Sequence, residues 1–124
     1  LTKENKKIFI VDEPGFSRIC SAILNEEGLE ADIHNAYSSD FDSIEFQLII
    51  ASIPFCEFMF DKISNRSIPK IFLSDQIDPG LIRMLEENDN AYCMIKPIDF
   101  NEFRSLVSDL LNGRKELMKG YAIL

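Results

Sequence analysis

Four short apolar runs, each closing on a polar residue, constrain this chain more than any other feature. Ile8-Phe9-Ile10-Val11 runs into Asp12-Glu13, and Leu48-Ile49-Ile50-Ala51 into Ser52. Ile71-Phe72-Leu73 runs into Ser74, and Tyr92-Cys93-Met94-Ile95 into Lys96-Pro97. A strand with one wet face alternates apolar and polar residues, whereas a strand covered on both faces is apolar throughout. Such strands belong to a parallel sheet with helices on both sides, and the stretches between the runs carry residues at helical spacing.

The spacing predicts five strands alternating with helices. The strands are Lys7–Val11, Leu29–His34, Leu48–Ser52, Ile68–Ser74 and Ala91–Ile95. After the first strand, Pro14 suits a helix first turn. Phe16, Ile19, Cys20, Ile23 and Leu24 then recur on one face, and Gly28 offers a stop. A short helix is expected over Ser38–Phe46. A further one is expected on the stripe Phe55, Phe58, Met59 and Ile63. Asp75 to Gly80 reads as a turn into a helix carrying Leu81, Met84 and Leu85, and Asn88–Asn90 as the next turn. Asp99 is placed to cap a last helix lined by Phe103, Leu106, Val107, Leu110 and Leu111. The expected fold is a doubly wound α/β domain on a five-stranded parallel sheet.

With 124 residues the chain fits one domain with a substantial core. We divide it into a domain over residues 1–112 and a tail, 113–124, read as a linker or the root of a helix toward a further domain. Val107, Leu110, Leu117, Tyr121 and Leu124 fit a heptad seam, which Arg114, Gly113 and Gly120 interrupt. Because the chain opens on Leu1 rather than Met, it is expected to be cut from a longer protein. A formal charge of −8 repels phosphate backbones, so direct nucleic-acid binding is not expected. No apolar run approaches the roughly 20 residues of a membrane span, and no signal-peptide pattern opens the chain. Cys20, Cys56 and Cys93 are odd in number and lack metal-like spacing, which fits buried, reduced thiols in a cytoplasmic protein. The lone histidine, His34, lies in the second expected strand, and no catalytic or metal role is expected of it.

Ligands of parallel α/β sheets gather at the carboxyl ends of the strands. Asp12, Glu13, Ser52, Ser74 and Lys96 would meet there. In this layout the chain resembles the receiver domain of bacterial two-component response regulators, over roughly residues 6–111, which implies a flavodoxin/CheY-like fold with the strand order 2-1-3-4-5. The resemblance lies in Ile8–Pro14, Leu48–Ser52, Ile71–Ser74 and Ile95-Lys96-Pro97. It implies that Asp12 and Glu13 stand at the family's metal-binding acids, Ser74 at its switch hydroxyl and Lys96 at its lysine. It also makes the Lys96–Pro97 peptide a candidate for the cis form. At the family's phosphoacceptor aspartate this chain has Ser52. Three other features depart from the family pattern. Two acids rather than three precede the proline, Ile53-Pro54-Phe55 replaces the turn after the acceptor, and Cys93 with Tyr92 beside it occupies the aromatic switch position.

The resemblance therefore implies a receiver-like module that is not phosphorylated and is not an enzyme. It would act by protein contact as the regulatory domain of a longer response regulator. A partner or second copy would bind on the fourth helix, fifth strand and fifth helix. No cofactor is expected, and Mg²⁺ would bind only weakly, at Asp12 and Glu13. Ser52 is expected to bond nearby backbone, and Lys96 to pair with Asp12 or Glu13. One alternative is a phosphate-competent receiver that uses another carboxylate. Another is a flavodoxin-like cofactor-binding domain, although Asp12-Glu13 would repel a flavin phosphate.

Overall fold

The computed structural model describes residues 6–26, 31–35, 41–117 and 119–124. The strands are β1 (Lys6–Val11), β2 (Ala31–Asn35), β3 (Leu48–Ser52), β4 (Lys70–Ser74), β5 (Ala91–Ile95) and β6 (Tyr121–Ile123). They form one sheet in the order β2-β1-β3-β4-β5-β6, with every pairing parallel. The α-helices are α1 (Pro14–Glu26), α2 (Phe60–Ser64), α3 (Pro79–Glu86) and α4 (Phe100–Leu111), and a 3-10 turn, Glu57–Met59, precedes α2.

The apolar runs sort by parity. Ile8, Ile10, Leu48, Ile50, Ile71, Leu73, Tyr92 and Met94 pack with Cys20 and Leu24 of α1 and with Phe103, Leu106, Val107, Leu110 and Leu111 of α4. The alternate residues, Phe9, Val11, Ile49, Ala51, Phe72, Ala91 and Cys93, pack with Met59, Ile63, Leu81 and Leu85 on the other face. Successive strand side chains point to opposite faces, so double burial demands unbroken apolar sequence. The helices start where their caps dictate. Asp78 accepts the Leu81 N–H at 2.8 Å ahead of Pro79, and Asp99 accepts the N–H groups of Asn101 and Glu102 at 2.9 and 3.2 Å.

The sheet has six strands rather than five. The tail, expected as a linker or helix root, instead lays Tyr121–Ile123 along the free edge of β5, in register from Ala91↔Tyr121 to Cys93↔Ile123. Gly113 and Gly120 have φ of 67° and 77°, a left-handed region that glycine enters without a Cβ penalty, so they serve as turns rather than as flaws in a helix. The helix expected over Ser38–Phe46 falls partly outside the described residues, and from Phe41 onward the chain forms turns. There Phe41 and Phe46 meet Phe9 with tilted rings, at centroid distances of 4.7 and 5.2 Å. The Arg66 guanidinium lies 4.4 Å above the Phe41 ring and donates to the carbonyls of Phe41 and Ile44. Three residues expected on apolar helix stripes are out in solvent: Ile19 is 50% exposed, Phe55 45% and Phe58 74%.

Candidate functional site

The register of the sheet brings the predicted site residues to one end. Val11 pairs with Ala51, so Asp12 and Ser52, one step further along, are neighbours. Ser52 pairs with Leu73, and Ser74 with Ile95, which carries Ser74 and Lys96 onward along the same end. Three of these residues meet. The Ser52 hydroxyl donates to Asp12 Oδ2, and the Lys96 ammonium lies 3.7 Å from the same oxygen. The other carboxylate oxygen, Oδ1, accepts the backbone N–H of Glu13 at 2.7 Å. Lys96 also sits 4.9 Å above the Phe16 ring at the start of α1, which fixes its ammonium from a second side.

Burial raises the stakes of these contacts. The Asp12 side chain is 1% exposed and Ser52 is fully buried, whereas a quarter of the Lys96 side chain meets solvent. A buried carboxylate needs a partner for its charge and donors for its oxygens, and Asp12 has both. Ser52 thus bonds a side chain rather than nearby backbone, because its neighbour across the sheet is a carboxylate in need of a donor.

Ser74 and Glu13 stand apart from this trio. The Ser74 hydroxyl donates to the Gln76 carbonyl at 2.9 Å and accepts the Gln76 N–H at 3.4 Å, closing its own loop. The Glu13 side chain is exposed. Among the described residues no three His, Cys, Asp or Glu side chains gather as a metal site would require. Both Asp12 oxygens already accept from protein donors. A hard divalent cation wants several oxygen ligands, so this donor set does not fit Mg²⁺ as it stands. Nor is Ser52 an activated nucleophile. A carboxylate is a poor base for an aliphatic hydroxyl, and the buried Oγ offers no approach to a donor from solvent.

At the position that the resemblance matched to the aromatic switch, Cys93 is fully buried, and burial pushes its thiol up to about 11. Tyr92 is turned to the other core, 2% exposed, and its hydroxyl is buried without a partner. Burial, and secondarily the charge of Glu116, raises that phenol above its usual range. The Lys96–Pro97 peptide is cis, and so is Ile53–Pro54 immediately after Ser52. The second cis bond, Phe16 beneath Lys96, and Lys70, a buried lysine at the opposite end of β4, were not expected from the sequence.

No protein-family model matches the chain, and no curated protein matches it in sequence. Solved structures do. A two-component response regulator from Clostridium difficile is 20% identical with a TM-score of 0.73, covering 89% of this chain and 98% of its own. A CheY-like response regulator receiver domain from Methanospirillum hungatei is 20% identical with a TM-score of 0.72, covering 90% of this chain and 97% of its own. The receiver domain of a sensor histidine kinase from Pseudomonas aeruginosa, solved with a magnesium ion coordinated in its active-site cleft, has a TM-score of 0.69 at 14% identity. That match covers 88% of this chain and 99% of the other. The chain therefore has the fold of response regulator receiver domains, over most of its length.

Proposed function

We propose that this chain is a receiver-like signalling module that works by protein contact, without aspartyl phosphorylation and without an enzymatic step of its own. One observation carries the reading. Where a receiver's acceptor carboxylate would stand at the end of β3, the Ser52 hydroxyl instead donates a hydrogen bond to Asp12, and Lys96 closes on the same oxygen. An aspartyl phosphate is a labile mixed anhydride suited to reversible signalling, while a serine phosphate is a stable ester. The trio substitutes internal partners for a phosphoryl group and a metal, and so holds the site in one state.

Intact-mass spectrometry after incubation with acetyl phosphate and Mg²⁺ tests this. No species heavier by about 80 Da, one phosphoryl group, is expected. An acid-labile adduct of that mass would favour the alternative of a phosphate-competent receiver using another carboxylate. Mg²⁺ itself is expected to bind in the millimolar range or more weakly, since Asp12 is already satisfied and Glu13 is solvated.

The partner is a protein or a second copy of the chain, and the face offered is that of α3, β5 and α4, with the output in a further domain of a longer protein. β6 modifies that face, because it occupies the edge of β5 by hydrogen bonds that include Leu124 N–H to the Cys93 carbonyl at 2.8 Å. Contact there goes through the helices and β6 rather than through an open β5 edge.

A further inference from the structure

At the opposite end of the sheet from Asp12, a cavity of about 310 Å³ opens between the C-terminal ends of α2 and α3 and the tail that leads to β6. Its walls include Ser64, Arg66, Lys70, Glu87, Asp89 and Glu116. The volume lies at the small end of ligand sites, which run from about 300 to 1,000 Å³.

Two polar groups in it are short of partners. Lys70 is 1% exposed, yet its ammonium makes a single long hydrogen bond, to the Asp89 carbonyl at 3.4 Å. Ser64 Oγ is buried with no partner. An ammonium has three donors, and a buried one that uses one poorly is costly. Burial accordingly lowers the Lys70 pKa, with Asp89 opposing. A ligand carrying anionic oxygen would satisfy both groups. The exposed members of the wall have the other sign. Glu87, Asp89 and Glu116 are solvent-facing, and three carboxylates would repel a phosphate. The other rim cation, Arg66, is already spent on the Phe41 ring and on the carbonyls of Phe41 and Ile44. Donors lie inside and carboxylates outside, an order that suits a ligand with an anionic end and a cationic end.

We infer that this cavity binds a small zwitterion of the α-amino acid class, its carboxylate on Lys70 and Ser64 and its ammonium among the carboxylates of the rim. Binding there is coupled to the tail. Asp89 and Asn90 both line the cavity, and their side chains hold the tail in place: Asn90 Oδ1 accepts Leu117 N–H at 3.2 Å, and Asp89 Oδ1 accepts Gly120 N–H at 2.8 Å. A ligand drawing on Asp89 therefore shifts the anchor of β6, and with it the face offered to a partner.

The test is a titration of the ¹⁵N-labelled chain with L-alanine, L-serine and L-glutamine, and separately with acetate, phosphate and ethylammonium. At least one amino acid should give saturable shifts at the amides of Ser64, Lys70, Asn90 and Leu117. Acetate, phosphate and ethylammonium should each bind at least about tenfold more weakly, the loss of one charge-assisted contact. Lys70→Met keeps the length of the side chain and should cost the amino acid about tenfold or more, with the rest of the spectrum unchanged. Ser64→Ala should weaken binding severalfold, and it serves alone if the lysine variant does not fold. Absence of saturation with all three amino acids would overturn the inference. So would phosphate or acetate binding as tightly as the best amino acid, or full affinity in Ser64→Ala together with Lys70→Met.

Discussion

At the scale of single residues, the Asp12 site turns on one substitution of chemistry, a hydroxyl where a carboxylate would be expected. Ser52 can donate and Asp12 can only accept, so the pair attracts; two carboxylates in that place would repel. Ser52→Asp should therefore destabilise the chain by about 2 kcal/mol in chelator, because a second buried charge joins Asp12 with Lys96 as the one cation at hand. Mg²⁺ should recover much of that loss and bind more tightly than to the parent, while phosphorylation by acetyl phosphate stays slight. Thermal melts with and without Mg²⁺ give the answer. A melting point unmoved in chelator would mean that the two side chains do not meet as described. Efficient phosphorylation of this variant would place the whole loss of the chemistry on Ser52. The site was legible as a set of positions, since strand ends follow from apolar runs that stop. Of its internal bonding, the pairing of Lys96 with Asp12 was expected and is present at 3.7 Å, whereas the Ser52–Asp12 bond was not expected. Which partner Ser52 takes depends on how its side chain meets that of Asp12 across β1 and β3, a detail that strand order alone does not carry. Lys70 was hidden because its enclosure comes from the ends of α2 and α3 closing over the start of β4, which the local sequence does not record.

Among the elements, legibility followed burial. β1, β3, β4 and β5 announced themselves because helices cover both faces, leaving no room for polar residues. α3 and α4 did so because Asp78 and Asp99 cap them. The segment before β3 misled, because a short polar stretch between strands was expected as a helix, while its described part forms turns whose Phe41 and Phe46 serve as plugs against Phe9. β6 was missed because Tyr121-Ala122-Ile123 is a three-residue run, and Leu117, Tyr121 and Leu124 also satisfy a helical repeat. Pairing with the open edge of β5 decided between the two readings, as tertiary context does for short apolar runs. The turn at Gly120 is what lets the tail enter the sheet. Gly120→Ala adds a Cβ with no steric neighbour within 4 Å but at a φ of 77°, so its cost is conformational, about 1–2 kcal/mol. That penalty should fall on β6 alone. Amide exchange at Gly120's replacement and at Leu124 should speed up by roughly tenfold or more, with the core strands protected as before. Equal loosening of β4 and β5 would instead make β6 an integral part of the cooperative core.

The whole molecule buries three thiols, one on the α1 and α4 side of the sheet and two on the other. Burial pushes Cys20 and Cys56 up to about 12 and Cys93 to about 11. Asp12 adds to the rise at Cys20 while Lys96 opposes it, so the charged end of the sheet is felt by the nearest core thiol. Two consequences share this cause. Thiolate is the reactive form, so the native chain should react with a disulfide reagent near pH 8 at least about a hundredfold more slowly than the urea-unfolded chain. Stability should also fall with alkali. Below about pH 8.5, the ordinary cysteine value, the thiols are protonated in both states and cost nothing. Above it the unfolded chain releases protons that the folded chain retains, so unfolding becomes easier as pH rises, until the folded thiols themselves ionise at about 11 to 12. Lys70 pulls the other way, since its lowered pKa makes the folded chain release its proton first, in the window just below the ordinary lysine value. Three thiols, joined by the raised Tyr92 phenol, outweigh one amine and leave a net decline, bounded at about 4 kcal/mol per pH unit for the thiols and opposed by at most about 1.4 for the lysine. Urea midpoints should therefore drop between pH 8 and pH 10. Cys93→Ala, which removes one of the three, should flatten the slope by up to about a third, and Lys70→Met should steepen it. A slope indifferent to both substitutions would place the alkaline sensitivity outside the core thiols and outside the buried amine.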